Sequence, residues 1–99
     1  MNRLSRRKYF VVVAYDISDD KRRRKISEVL KDYGVRVQYS VFECMLDYKR
    51  LKEMEKRVVR RMNKDEDRLR IYVLLEICRK RVIVHGVGGV IEDEGVILV

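Results

Sequence analysis

The feature that most constrains the fold is a run of seven apolar residues, 9–15, that ends at Asp16. A run this apolar leaves no polar face, which is typical of a central β-strand covered on both sides. Asp16 then marks the carboxyl end of the strand, and the basic run 21–25 begins within five residues. A carboxylate at a strand end beside a cluster of cations suits a phosphodiester site.

The composition indicates one small basic domain spanning residues 1–99. Its net charge of +8 favours a polyanionic partner, nucleic acid first and an anionic membrane second. The alternative is a heat-adapted surface, where charge serves stability, of which 40% charged residues and the lack of proline are also typical. A domain of this size buries only ~60–65% of its unfolded surface, so its core is thin and a dimer would help it.

Membrane and disulfide classes are not supported. No apolar run approaches the ~20 residues of a membrane span, and residues 1–8 contain no signal-type apolar segment. Cys44 and Cys78 fit neither a CxxC pair nor a zinc spacing, so we expect both to be reduced core residues. These patterns predict a cytoplasmic protein with no membrane partner.

Two segments have the periodicity of amphipathic helices. Ser18 or Asp19 can cap the first helix, and Gly34 fits its C′ position. Asp47 can cap the second helix, with Leu46 and Leu51 as a hydrophobic staple. The predicted apolar stripes are Ile26, Val29, Leu30 and Tyr33 in the first helix, and Leu51, Met54, Val58 and Met62 in the second.

The remaining apolar segments predict strands. Residues 36–46 form either one strand bent at Ser40 or two short strands. Alternation predicts a strand over 68–77, and residues 82–84 begin another, after a basic turn at 79–81. Residues 1–7 form a basic arm. The tail 95–99 is too apolar to lie free in water, so it needs a sheet edge, which a second copy can offer.

The element order predicts an α+β fold with both helices on one face of the sheet. If the middle strand is split, the order becomes the ferredoxin-like βαββαβ. An extra C-terminal strand then follows, which we expect to pair with a dimer partner.

Asp16 is the candidate metal ligand and catalytic residue. Mg²⁺ takes six oxygens, usually with one or two carboxylates, so a single aspartate is a poor site alone. A two-fold axis at the strand end would bring two copies of Asp16 together, and such a pair must share a proton or bind a cation. The alternative is that Asp16 only caps a turn or the first helix.

Four further residues are candidates for nucleic-acid contact. Arg23, Lys25 and Arg36 can bind phosphates, or each can be part of an ordinary solvated face. Tyr15, Tyr39 and Phe42 can stack on bases, although a core position is the favoured interpretation for each; Phe42, near the possible bend, is the member of this set most expected to be partly exposed.

Two segments at this separation resemble a known family. Segment 15–20 (YDISDD) with Arg23 and Lys25, followed by segment 34–44 (GVRVQYSVFEC), is similar to CRISPR-associated protein two, the small subunit of the CRISPR adaptation machinery. The resemblance covers nearly the whole chain from Lys8. One departure is Lys25, where some members have arginine, which keeps the charge but removes a bidentate clamp.

This resemblance implies a ferredoxin-like homodimer in which Asp16 faces its twin and ligates Mg²⁺ or Mn²⁺. Family roles in nucleic-acid binding then fall on Arg23, Lys25, Arg36 and Phe42. Members are metal-dependent endonucleases acting on single-stranded RNA or duplex DNA. Members also bridge two dimers of the CRISPR integrase, where cleavage can be dispensable. A ribosomal or other RNA-binding domain that shares only the fold is a further hypothesis.

Overall fold

The central strand is β1, Lys8–Asp16, as the apolar run predicts. The computed structural model describes residues 7–87, 89–92 and 95–98. After β1 come α1 (Asp20–Lys31), β2 (Gly34–Gln38), β3 (Val41–Asp47), α2 (Tyr48–Arg61) and β4 (Arg68–Leu75). A 3₁₀ helix (Glu76–Arg81) and the short strands β5 (Gly89–Glu92) and β6 (Gly95–Leu98) follow.

Four strands form one antiparallel sheet in the order β2-β3-β1-β4. This order, with a helix after β1 and another after β3, is the ferredoxin-like βαββαβ arrangement, so the α+β prediction is confirmed. The middle segment consists of two strands and not one bent strand. The chain turns at residues 39–40, where Tyr39 has a φ of 23°, a value that few non-glycine residues adopt.

Both helices begin at the aspartates that can cap them. The side chain of Asp19 accepts a hydrogen bond from the backbone N–H of Arg22 at 2.8 Å. Asp47 accepts one from the N–H of Arg50 at the same distance. These bonds satisfy donors that the first turn of a helix leaves unpaired. Leu46 and Leu51 are both buried, as the staple requires.

The core lies between the helices and one face of the sheet, the inner face. In α2 the buried stripe is Leu51, Met54 and Val58, with Met62 partly buried. In α1 it is Ile26, Val29 and Leu30; Tyr33, two residues after the end of the helix, is partly buried against the same core. The sheet contributes alternate residues of β1 and β3: Val11, Val13, Tyr15, Phe42, Cys44 and Leu46.

The opposite face of the sheet, the outer face, is only partly covered. Val12 and Ala14 are half-buried there, and Tyr72 beside Val12 is 44% exposed. Phe10 at the other end of the strand is buried. A single chain therefore covers the outer face of β1 only near Phe10. The prediction that β1 is covered on both sides is confirmed for that end of the strand alone.

Gly34 does not have the predicted C′ role. The helix ends at Lys31, and Gly34 is the first residue of β2, facing Cys44. A Cβ at this position would collide with the carbonyl oxygen of Glu43 and the sulfur of Cys44. The glycine is needed because two strands approach closely, and not because a helix must stop.

Of the two strands predicted near the C-terminus, the one over about 68–77 is confirmed but shorter, and the one beginning at 82–84 is wrong. β4 ends at Leu75 and not at residue 77, because Tyr9, near the start of β1, is its last ladder partner. The 3₁₀ helix replaces the rest of that strand and the basic turn at 79–81. Residues 82–84 have no strand partner and are not extended into a ladder; the next strand is β5.

The apolar tail does form a strand. Within one chain β6 pairs with β5 in a separate two-stranded antiparallel sheet. Residues 1–6 of the basic arm and Val99 lie outside the described residues.

Candidate metal and nucleic-acid site

Asp16 is the last residue of β1, and its side chain is exposed. It alternates with Val12 and Ala14, so it lies at the edge of the outer face, beside Arg68 of β4 in the ladder. Among residues 7–87, its carboxylate has no hydrogen-bond or ion-pair partner. Asp19 caps α1, so the alternative that Asp16 caps this helix is not observed.

Three hydrogen bonds fix the backbone around Asp16 at the end of β1. The N–H of Tyr15 donates to the carbonyl of Ser40 at 3.1 Å, which ties β1 to the β2–β3 turn. The guanidinium of Arg23 donates to the carbonyl of Ile17 at 3.0 Å. The N–H of Ser18 donates to the carboxylate of Asp67 at 3.4 Å. The backbone on either side of Asp16 is therefore fixed, whereas its own carboxylate is unpaired.

Asp67 is the acceptor at the centre of a second cluster. Its side chain is fully buried, and it accepts from Nε of Arg22 at 3.0 Å and from the N–H of Asn63 at 2.9 Å. The same guanidinium also pairs with Glu66 at 2.9 Å. The hydrogen bond from Arg22 holds the pKa of the Asp67 carboxyl below its ordinary value, and the same contact raises the pKa of Arg22.

The basic run at the start of α1 divides into paired and unpaired cations. Arg22 is paired with Asp67 and Glu66, and Arg23 with Asp20. Within the run 21–25, the other three cations have side chains that make no hydrogen bond or ion pair with the described residues, namely Lys21, Arg24 and Lys25. Positive charges at the N-terminus of a helix interact unfavourably with the helix dipole, and no carboxylate of the described residues neutralises these three. They are therefore available to bind an external anion.

Arg36 and Phe42 form one unit on the inner face. The Phe42 ring is fully buried, 6.3 Å from the ring of Tyr15, so the favoured core position is confirmed, whereas the exposed aromatic of the three is Tyr39 and not Phe42. The reason is register: Phe42 alternates with Cys44 and Leu46, which point to the helices. The guanidinium of Arg36 lies 5.6 Å from the Phe42 ring and donates to the hydroxyl of Ser27 in α1.

The five residues singled out by sequence thus do not share one cluster. Asp16 lies on the outer face, and Arg23 reaches the loop that follows it. Lys25 is exposed on α1, and Arg36 contacts α1 from the far edge strand. Sequence reasoning missed Asp67, which no motif marks. It also grouped Arg22 with the phosphate-binding cations, although a contact across 45 residues makes it structural.

The donor set fits a divalent cation only in part. Among residues 7–87, 89–92 and 95–98 no three His, Cys, Asp or Glu side chains are grouped as a metal site would require. Asp16 offers one unpaired carboxylate, which can hold a hard cation together with waters and substrate phosphates. A second copy placed across the outer face would add a second carboxylate.

In the described part of the chain, no helix has the length and apolar character needed to traverse a bilayer.

Named relatives match most of the chain. The "CRISPR-associated endoribonuclease Cas2 3" of Chloroflexus aurantiacus is 41% identical over 82% of this chain and 87% of that protein. The "CRISPR-associated endonuclease Cas2 2" of Thermus thermophilus is 51% identical over 66% of this chain and 72% of that protein.

Solved structures agree with the fold. Cas2 of Streptococcus pyogenes superposes with a TM-score of 0.70 at 32% identity, covering 78% of this chain and 99% of that one. A chain of a partial Cas6-RT-Cas1–Cas2 complex gives a TM-score of 0.59 at 29% identity, covering 77% and 89%. The family model for CRISPR associated protein Cas2 matches residues 9–82. The chain belongs to the Cas2 family of CRISPR-associated proteins.

Proposed function

We propose that this protein is a metal-dependent endonuclease of CRISPR spacer acquisition that works as a homodimer. Its substrate is single-stranded RNA, duplex DNA or both, in keeping with the endoribonuclease and endonuclease names of the relatives. The observation that carries the proposal is the exposed, unpaired carboxylate of Asp16 at the end of a buried strand. The two free cysteines suit the reducing cytoplasm.

Residues of this chain would act as ligand and clamps. Asp16 from each copy would hold Mg²⁺ or Mn²⁺ between the two chains. A divalent cation supplies a Lewis acid for the phosphoryl oxygen and lowers the pKa of bound water. Arg23, Lys25 and Arg36 would bind phosphates of the nucleic-acid backbone. Phe42 supports Arg36 from below and does not itself stack on a base.

The outer face supports the homodimer. β4 is an edge strand of the main sheet, and its residues Tyr72, Val73, Leu74 and Leu75 are all exposed. An apolar edge strand with unpaired backbone groups favours pairing with another strand. The C-terminal strand β6 of a second copy is the proposed partner for such an edge. This pairing would cover the apolar outer face and bring the two Asp16 residues toward each other.

The test compares the wild type with Asp16→Asn. Labelled single-stranded RNA and duplex DNA are supplied with Mg²⁺, with Mn²⁺ or with chelator. We expect Asp16→Asn to lower the cleavage rate by about 10²-fold or more, because a lost ligand removes several kcal/mol of transition-state stabilisation. Binding of the uncut substrate should be unchanged. The matched control is Asp65→Asn, an exposed aspartate in the turn before β4, which should cut normally.

A second candidate function is a non-catalytic bridge that grips duplex DNA between integrase dimers. It is favoured by the unpaired cations of α1 and by the similarity to a chain in a complex with Cas1. The same assay distinguishes the two. The nuclease hypothesis is refuted if the wild type and Asp16→Asn cut equally. It is also refuted if both bind DNA and neither cuts it in a metal-dependent way. The hypothesis of a non-catalytic bridge would then remain.

A further inference from the structure

The carboxylate of Asp67 accepts more hydrogen bonds than are required to close the turn in which it lies. Its buried carboxylate accepts from two backbone N–H groups, those of Ser18 and Asn63, and from two nitrogens of the Arg22 guanidinium. These donors come from the loop after β1, from the start of α1 and from the turn after α2. One carboxylate therefore ties residues 18–22, which form the loop after β1 and the start of α1, to the turn after α2, across 45 to 49 residues of sequence.

The segments that Asp67 joins are those that surround Asp16. Ser18 is two residues after Asp16 in the chain. Arg68 directly follows Asp67 and is the ladder partner of Asp16. Asp67 thus fixes the loop that follows Asp16 relative to the start of β4, where the ladder partner of Asp16 lies.

Arg22 completes this arrangement. Its side chain is 27% exposed, and its guanidinium donates to Asp67 through Nε and NH2 and to Glu66 through NH2. A planar guanidinium can bridge two carboxylates with fixed geometry, which a lysine ammonium cannot reproduce. Arg22 is engaged within the chain and is not an available phosphate ligand.

We propose that Arg22 and Asp67 are positioning residues that set the place of Asp16 as a metal ligand. The inference rests on the proposed function, because it assumes that Asp16 binds a divalent cation. When groups that orient a metal ligand are removed, metal affinity commonly falls by about 10- to 100-fold.

Charge and position predict opposite results for Arg22. Removing a cation near a metal site favours cation binding by Coulomb's law. Removing a positioning contact weakens binding, because Asp16 is no longer held in place. The sign of the change in Mn²⁺ affinity therefore distinguishes the two effects.

The experiment measures the Mn²⁺ dissociation constant of the full-length protein by electron paramagnetic resonance, which counts free Mn²⁺ without any need for activity. We expect Arg22→Gln to weaken Mn²⁺ binding about tenfold. Arg22→Lys, which keeps the charge and loses the planar bridge, should lie between this variant and the wild type. Arg24→Gln is the matched control: it removes one unpaired cation from the same helix and should bind Mn²⁺ as tightly as the wild type or more tightly.

The outcomes are separable. If Asp16→Asn binds Mn²⁺ like the wild type, the metal site of the proposed function is refuted together with this inference. If Asp16→Asn loses binding while Arg22→Gln and Arg22→Lys equal or exceed the wild type, only the positioning role is refuted. Circular dichroism of each variant confirms the fold, and Arg22→Lys alone decides the question if Arg22→Gln does not fold.

Discussion

Two aspartates at strand ends have opposite environments. Asp16 at the end of β1 is exposed and has no partner among the residues that the structure describes. Asp67, just before β4, is buried and accepts hydrogen bonds from three residues. The unpaired group can bind an external cation, whereas the paired group has its lone pairs occupied and holds the backbone in place.

The lowered pKa of Asp67 predicts a pH-dependent stability. A carboxyl whose folded pKa is below its unfolded value stabilises the fold above the ordinary aspartate pKa of about 3.9 and loses this effect as pH falls through the folded pKa. We expect urea unfolding at pH 6 to give a larger free energy of unfolding for the wild type than for Asp67→Asn. The difference between the two should become smaller below pH 4. Asp65→Asn should track the wild type throughout. A gap that is constant from pH 6 to pH 2 would contradict the prediction.

At the scale of elements, close approach between strands decides what the chain tolerates. β2 lies against β3 with Gly34 directly facing Cys44, and there is no room for a side chain between them. The buried thiol of Cys44 is part of this contact, and burial raises its pKa to about 12, so it stays protonated and unreactive at neutral pH. The β2–β3 hairpin therefore depends on a residue that sequence periodicity assigns to a helix end.

Gly34→Ala should destabilise the protein by about 1–3 kcal/mol, the usual cost of overpacking. The reason is the collision of the new methyl group with the Glu43 carbonyl oxygen and the Cys44 sulfur. Chemical denaturation measures the loss. In a Cys44→Ala background, Gly34→Ala should still lower the free energy of unfolding, although by less, because the Glu43 carbonyl oxygen remains. Full recovery would show that the sulfur is the only obstacle.

At the scale of the whole molecule, one sheet face is incomplete in a single chain. The helices cover the inner face, whereas Val12, Ala14 and the exposed residues of β4 leave apolar surface on the outer face and at one edge. Asp16 lies on the same outer face. Covering this face with a second copy would bury the apolar surface and complete the proposed metal site in one step.

Leu74→Asp should therefore give a monomer that does not cut nucleic acid. Leu74 is 38% exposed on the outer face, and burying a carboxylate at an interface between two chains costs the free energy of removing its hydration. Sedimentation velocity measures the oligomeric state. The matched control is Tyr48→Asp, which places the same charge on the exposed aromatic at the start of α2 and should remain dimeric. A dimeric Leu74→Asp would place the interface elsewhere.

The local elements could be predicted from sequence because their signals are local. The apolar run that ends at Asp16, the capping aspartates Asp19 and Asp47, and the stripe of α2 all depend on neighbours within a few residues. The position of Asp16 at the end of a strand follows from the same signals. Its metal-binding and catalytic roles stay predictions, as do those of Arg23, Lys25 and Arg36.

Features that depend on contacts between distant segments could not be predicted in this way. Phe42 is buried because α1 and α2 cover the inner face, and Arg22 is engaged because a turn 45 residues later brings Asp67 to it. β4 ends where β1 no longer offers a ladder partner. The sequence alone determined the order of helices and strands and the carboxylate at the end of β1. Only the tertiary structure decided which cations of the run 21–25 are unpaired and which face of the sheet is left partly exposed, because pairing and burial depend on groups that only folding brings together.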